Sequence, residues 1–498
     1  MKYFCVYSVK LSVLTAAIIS SSCSVHAEES PADRPNFVFI ITDDISPDDL
    51  AVYGNTFVPT PNLQRMAESG LVFDNAYLTI SSCSPSRCSM ITGRYPHNTG
   101  APELHTSLPT DQRTFVRQLQ EAGYHTVLSG KNHMGKPAEL GFDESYDARP
   151  AGSEKWVQHL KDRPRDRPFF CWFASHDAHY DFRINDKAPT FDPAQIEVPP
   201  MLFDGPGTRE MLSGYYHEVA RTDHYVGQVL DELQRQNIAD NTYVIYCSDN
   251  GRPFPRCKTY LYESGIQTPL LITGPGIQAG RTDSLVSSID VSATILELAD
   301  VPIPDTVQGR SFQKVLADPH AVTRHVAFAE RNWHVFQNHA RAVRCGNWLY
   351  IRNAFPERHN LSGESATFKY AAVKELWEAA EAGQLPPHVA LLTKPTQPAE
   401  MLFHVVDDPH QFHNRVNDSE AQDQLNVMRG LLEQWVQSTG DSVPNNPTPD
   451  RQPIHSNNKQ SPDFRRGDFP GADRNATQLN APGPVQVDET TLQTLTAG

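Results

Sequence analysis

Two short polar runs are placed where they could hold a metal ion. Asp43-Asp44 follows the apolar run Asn36–Thr42, and Asp249-Asn250-Gly251 follows the apolar run Thr242–Ser248. Together they offer three carboxylates and an amide oxygen, a set of hard donors that suits a hard divalent cation. Each run also has a plainer reading. Asp48-Asp49 lie close to the first, which could then be a solvated acidic turn, and Asn250-Gly251 is an ordinary turn dipeptide. Their shared position at the end of a buried strand favours the metal, because open α/β sheets collect ligands at the carboxyl ends of their strands.

Those ends need a sheet to bring them together. Asn36–Thr42, Phe169–Ala174 and Thr242–Ser248 are unbroken apolar runs rich in aromatic and β-branched residues, as expected of strands buried on both faces. Residues 125–129 and 269–273 read as further strands. Between them, residues 60–70, 114–123, 211–236 and 290–300 have helical periodicity. The first has Thr60 as N-cap, Pro61 at the first position and Gly70 at its end. The alternation predicts an α/β catalytic domain over residues 28–324. Beyond it, residues 325–330, 341–352 and 400–406 read as strands of a smaller antiparallel sheet, and 421–438 as a closing helix, giving a subdomain over 325–440. Residues 441–498 are Pro-, Asn-, Gln-, Asp- and Thr-rich without period and are expected to form a disordered tail.

The chain has 498 residues and a formal charge of −16, which argues against a nucleic-acid-coating surface. Residues 1–27 have the features of a cleaved secretory signal: Lys2 and Lys10, an apolar stretch over 11–19, and Val25-His26-Ala27 before two glutamates. The apolar stretch is shorter than the roughly 20 residues that span a bilayer. A secreted or periplasmic protein, off the membrane after cleavage, is expected. Six of the eight cysteines come after residue 27. Cys171 and Cys247 lie within strand-like runs and read as buried free thiols.

Cys83-Ser84-Pro85-Ser86-Arg87 with Thr92-Gly93-Arg94 resembles the signature of the type I sulfatases. Gly130-Lys131-Asn132-His133-Met134-Gly135 and His176-Asp177-Ala178-His179 are similar to further segments of that family. Asp249-Asn250-Gly251-Arg252-Pro253-Phe254-Pro255 with Lys258-Thr259, and Leu104-His105, resemble the heparan N-sulfatases (sulfamidases) in particular. The resemblance covers about residues 35–435. Cys88, directly after the signature, and Asn132 depart from its pattern.

The resemblance implies an alkaline-phosphatase-like fold, with a large mixed sheet between helices and the smaller antiparallel sheet after it. It implies that a maturase oxidises Cys83 to formylglycine, whose hydrate is the nucleophile. Asp43, Asp44, Asp249, Asn250 and residue 83 would hold one calcium ion. Arg87 would steady the formylglycine, while Lys131, Lys258 and His105 would bind substrate. His179 would protonate the leaving group and His133 would take the proton that lets sulfate depart. The implied substrate is a sulfated oligosaccharide, with N-sulfoglucosamine of heparan type first. An O-sulfatase acting on another polysaccharide, such as an algal one, and a phosphatase or phosphonate hydrolase on the same scaffold are the alternatives. A homodimer is compatible with this reading.

Overall fold

A computed structural model describes residues 1–6, 34–147, 149–457 and 459–496. The core of the expected signal, residues 11–19 and 25–27, lies outside the described residues. Among the described residues no helix is long and apolar enough to cross a membrane.

Side chains of Asn36–Thr42 alternate between two apolar clusters. Phe37, Phe39 and Ile41 enter one, and Val38 and Ile40 the other. That is the period-2 geometry of a strand covered on both faces. Among the described residues it lies within an eight-stranded sheet. From one edge to the other, the order is Glu144–Tyr146, His125–Gly130, Phe169–Ala174, Asn36–Thr42, Thr242–Ser248, Leu270–Thr273, Leu71–Phe73 and Gly280–Thr282. Only Leu270–Thr273 runs against the rest, so the sheet is mixed. Strand register sets where the ends fall. Thr42 pairs with Ser248, and Gly130 pairs with Ala174. Asp43, Lys131, Ser175 and Asp249 therefore leave the sheet side by side.

The helices flank this sheet. Pro206–Arg235 begins five residues before the periodicity at Met211 predicts. Its first turn is completed from afar, because Glu375 accepts hydrogen bonds from the Gly207 and Thr208 amides at 2.7 and 2.6 Å. These are amides that a helix cannot satisfy internally, and no local residue signals their partner. A second sheet of four antiparallel strands comes next: Val326–Arg331, Ala340–Cys345, Trp348–Asn353 and Glu400–His404. Helix Gln422–Thr439 covers it with the buried Leu432 and Trp435.

The C-terminal segment corrects the expectation of a disordered tail. Arg94, buried at the end of the cysteine signature, donates to the Thr477 and Leu479 carbonyls at 3.0 Å each and to Asn480 Oδ1 at 2.8 Å. Arg341 makes a two-pronged pair with Asp441 at 2.6 and 2.8 Å, and Leu495, in the short helix Glu489–Thr496, is fully buried. Composition misleads here because the order comes from partners on the folded body rather than from a periodic apolar face.

The same junction carries a pH response. Burial, then Arg341, pushes buried His339 down to about 4, against the opposing pull of Asp441. Its unfolded value is about 6.5. The unfolded chain therefore binds the extra proton between those values, and stability falls as pH drops through that window. From this group alone, stability should be about 2 kcal/mol lower at pH 5 than at pH 7. Urea unfolding at the two pH values checks it, and His339→Gln should flatten the difference.

Candidate active site

The cysteine signature forms helix Cys83–Thr92, which periodicity in the sequence does not identify. Pro85 fits because it lies in the first turn, where a missing amide hydrogen costs nothing. Gly93 ends the helix at φ +67°, and a Cβ there would come within 2.4 Å of Ser292 Oγ. Cys83 thus sits at the amino end, where helix dipole and free amides favour negative charge. Arg87 is four residues on, on the same face.

Arg87 is fully buried. Its Nε donates to Asp249 Oδ2 at 2.8 Å, and its Nη1 to the Lys131 carbonyl at 3.0 Å. One side chain therefore ties the signature helix to two strand ends. Burial would lower its pKa, but Asp249 and Asp43 outweigh that and keep the guanidinium charged. Lys131 reaches Asp43, and Lys258 grips Asp44 at 2.6 and 2.7 Å. Both ammonium groups are held above their ordinary range by these carboxylates, despite burial. Lys131 can project here because residue 130 is glycine: a Cβ there would lie 1.7 Å from the Ala174 carbonyl oxygen, at φ +100°. The Asp43 backbone is fixed to the next strand end, its amide donating to the Asp177 carbonyl and its carbonyl accepting from Ala178.

Asp43, Cys83 and Asp249 bring three ligand atoms within 4.8 Å of one another. Asp43 Oδ1 and Asn250 Oδ1 are buried without hydrogen-bond partners. Burial pushes Asp44 well above, and Asp249 above, the ordinary carboxylate range. The charge of Asp43 adds to both rises, while Lys258 and Arg87 oppose them. Crowded carboxylates with orphaned oxygens fit a hard divalent cation. Asp44 and Asn250 border this trio, joined to each other. The sulfur of Cys83 is a soft donor that matches calcium poorly, so an oxygen in its place would complete a uniform hard set.

Burial, despite Lys131 and Lys258, pushes the Cys83 thiol up to about 12. An unaltered thiol here holds its proton at neutral pH and is a weak nucleophile. His133 is half-buried, with Nδ1 unpartnered. Burial, then Lys131, lowers it to about 2, so the ring is neutral. His179 stands at the exposed lip, its Nδ1 donating to the Tyr180 carbonyl at 2.5 Å. That assigns hydrogen to Nδ1 and leaves Nε2 to exchange protons. Surrounding protein, then Lys258, lowers its pKa, so it takes up a proton most readily when an anion is bound beside it. Asp177, two residues earlier, is clamped by Arg221 at 2.7 Å through both oxygens.

Asp43, Lys131, His133, Asp177 and His179 line a cleft of about 490 Å³. His105 lies on its wall with its ring 4.8 Å from that of His133. Arg149 and Arg183, which no sequence motif singles out, add positive charge to the lining. Asn132 bonds within its own turn, to the Gly135 carbonyl at 2.5 Å. His176 is held by Asp147 at 2.8 Å. His334, read from sequence as structural or surface, is buried with Nδ1 2.8 Å from Ser82 Oγ, next to Cys83. No spacing could reveal it, since 252 positions separate the pair. Cys83, Cys88, Cys171, Cys247, Cys257 and Cys345 are all buried and unbridged.

The sulfatase family model matches residues 35–301, slightly over half of the chain, and the model for the C-terminal part of N-sulphoglucosamine sulphohydrolase matches 256–354. An ulvan-active sulfatase of Formosa agariphila is 26% identical over 465 residues, 82% of this chain and 76% of its own. Human N-sulphoglucosamine sulphohydrolase is 28% identical over 466 residues, 82% of this chain and 91% of its own. A solved structure of a protein in complex with its substrate D-glucosamine-2-N,6-O-disulfate shares the fold, with a TM-score of 0.63 at 19% identity over 81% of this chain and 98% of the other. With the signature helix, the strand-end carboxylates and these matches together, the chain belongs to the sulfatase family, hydrolases of sulfuric esters.

Proposed function

We propose that the chain removes sulfate from a sulfated glycan, N-sulfoglucosamine of heparan type first, using a formylglycine made from Cys83. The observation that carries this is the buried cluster of Cys83, Arg87, Lys131 and Lys258 around the strand-end carboxylates. As formylglycine, residue 83 would supply an aldehyde hydrate, with one hydroxyl to attack sulfur and a second through which sulfate is expelled. A calcium ion held by Asp43, Asp44, Asp249 and Asn250 would supply fixed positive charge against the sulfate oxygens. Lys131 and Lys258 turn from their carboxylates to the remaining oxygens, as flexible point charges can. Arg87 stays fixed and keeps residue 83 in line. His179 passes a proton from Nε2 to the departing oxygen or nitrogen, and neutral His133 receives the proton of the second hydroxyl. Three carboxylates and three cations balance at this end of the cleft, so adding a divalent ion leaves positive charge for an anionic ester.

The match of residues 256–354 to the N-sulphoglucosamine sulphohydrolase model supports the N-sulfated substrate. The similar likeness to an ulvan-active sulfatase supports a second reading, an O-sulfatase for an algal polysaccharide. A signal peptide over residues 1–27 and a maturase acting on Cys83 go with both. Sulfate release, measured side by side from N-sulfoglucosamine, 6-O-sulfoglucosamine and ulvan oligosaccharides, separates them. The expected preference is N-sulfoglucosamine. A clear preference for ulvan replaces the first reading with the second, and release from none defeats both.

A further inference from the structure

Two stretches of the C-terminal segment run side by side behind the wall of the cleft. Pro447 and Asp468 bridge, and the Asp468 amide donates to the Asn446 carbonyl at 2.6 Å. From this base the segment holds two loops. On the first, Arg466 Nη1 donates to Glu103 Oε2 at 3.0 Å, and Nη2 to the Leu104 carbonyl, directly before His105. Thr448 adds a bond to the same Glu103 oxygen at 2.8 Å. On the second, Arg466 lies over the Trp333 ring at 4.6 Å, while Trp333 Nε1 donates to the Pro449 carbonyl at 2.7 Å. The loops are tied together, the Leu104 amide donating to the Trp333 carbonyl at 3.3 Å.

His105 is the member of this assembly that lines the cleft. It takes φ +62°, a conformation that non-glycine residues hold only where their surroundings impose it. Its amide is fixed to Ser84 Oγ at 2.8 Å, one residue beyond Cys83, and its preceding carbonyl to Arg466. Arg466 does not line the cleft. It acts through the loop that does.

We propose that Arg466 is a positioning residue, locking His105 into the cleft wall so that the C-terminal segment sets how the sugar beyond the sulfate is gripped. This rests on the cleft being a sulfated-glycan site. The arginine fork is needed because it serves a carboxylate, a carbonyl and an aromatic face at once, which an ammonium group cannot.

A double-mutant cycle tests it, read as KM and kcat for a sulfated disaccharide in the full-length protein. Arg466→Ala should raise KM about tenfold with a smaller change in kcat, the loss expected when charge-assisted bonds to a binding loop go. Arg466→Lys should fall between. In a His105→Ala background the Arg466→Ala effect should vanish, because the residue through which it acts is gone. Titration calorimetry of the same disaccharide with the Cys83→Ser protein, with and without Arg466→Ala, reads the grip without turnover, and the same weakening is expected. Effects that multiply in the double variant, an unchanged KM, or a fall in kcat alone would overturn the proposal. A wild-type protein that turns over no sulfated glycan would instead overturn the functional reading, while the calorimetric comparison still decides whether Arg466 acts on the cleft.

Discussion

Cys83→Ala should abolish sulfate release, by about 10⁴-fold or more, the scale seen when an enzyme loses its nucleophile. The more telling result is Cys83→Ser, which should be nearly as inactive. Burial pushes the native thiol up to about 12, so it is almost wholly protonated at neutral pH. A serine hydroxyl is less acidic still and sits in the same enclosed place. What both lack is the second hydroxyl that an aldehyde hydrate provides. Mass spectrometry of the peptide containing residue 83, from protein made with a formylglycine-generating maturase, should show the thiol replaced by an aldehyde. Activity should rise linearly with the converted fraction. Full activity in protein whose residue 83 is entirely a thiol would remove the mechanism. Cys88 should stay reduced in either preparation, since it faces the apolar core on the helix and burial also pushes its thiol up to about 12.

The second large effect belongs to Asp249→Asn. Asp249 and Arg87 meet at 2.8 Å, and both side chains are fully excluded from water. Removing one partner leaves a buried charge uncompensated, which costs about 3–5 kcal/mol. Arg87 also carries the Lys131 carbonyl, so the loss spreads to the next strand end. Equilibrium unfolding should register this destabilisation even before activity is measured. Calcium separates the structural part from the ligand part. A cation that binds only the folded state stabilises it by about 2.7 kcal/mol at a hundred times its dissociation constant. Added calcium should therefore raise the melting temperature of the native protein and leave that of Asp249→Asn unmoved. A variant that still gains stability from calcium would remove Asp249 from the ligand set. Pairing it with Arg87→Met should recover part of the lost stability, since the stranded charge goes, but none of the activity.

Much of the site was legible before the chain was folded. Asn36–Thr42 and Thr242–Ser248 appear in the structure with the predicted bounds, because an apolar run with β-branched and aromatic residues reports burial on both faces locally. The carboxylates after them could then be placed at strand ends, and the cysteine signature named the chemistry. The strand register aligns Thr42 with Ser248 and Gly130 with Ala174, so Asp43, Lys131 and Asp249 come together at one end of the sheet. Legibility stopped where partners are distant. The helix at Cys83 has weak amphipathicity because every one of its residues is buried, so it has no polar face for periodicity to detect. Glu375 starts a helix 168 positions before itself, and His334 reaches Ser82 across 252.

The C-terminal segment divides the two sources most sharply. Its composition truly lacks a core-forming pattern, and by itself the sequence determined only that. Arg94, Arg341 and Glu103 decided the rest, each being a buried charged group whose hydrogen bonds the C-terminal segment completes. The segment is ordered because it satisfies them. Local sequence reports which surfaces an element will bury; which distant group completes a buried charge is settled only when the chain has closed around it.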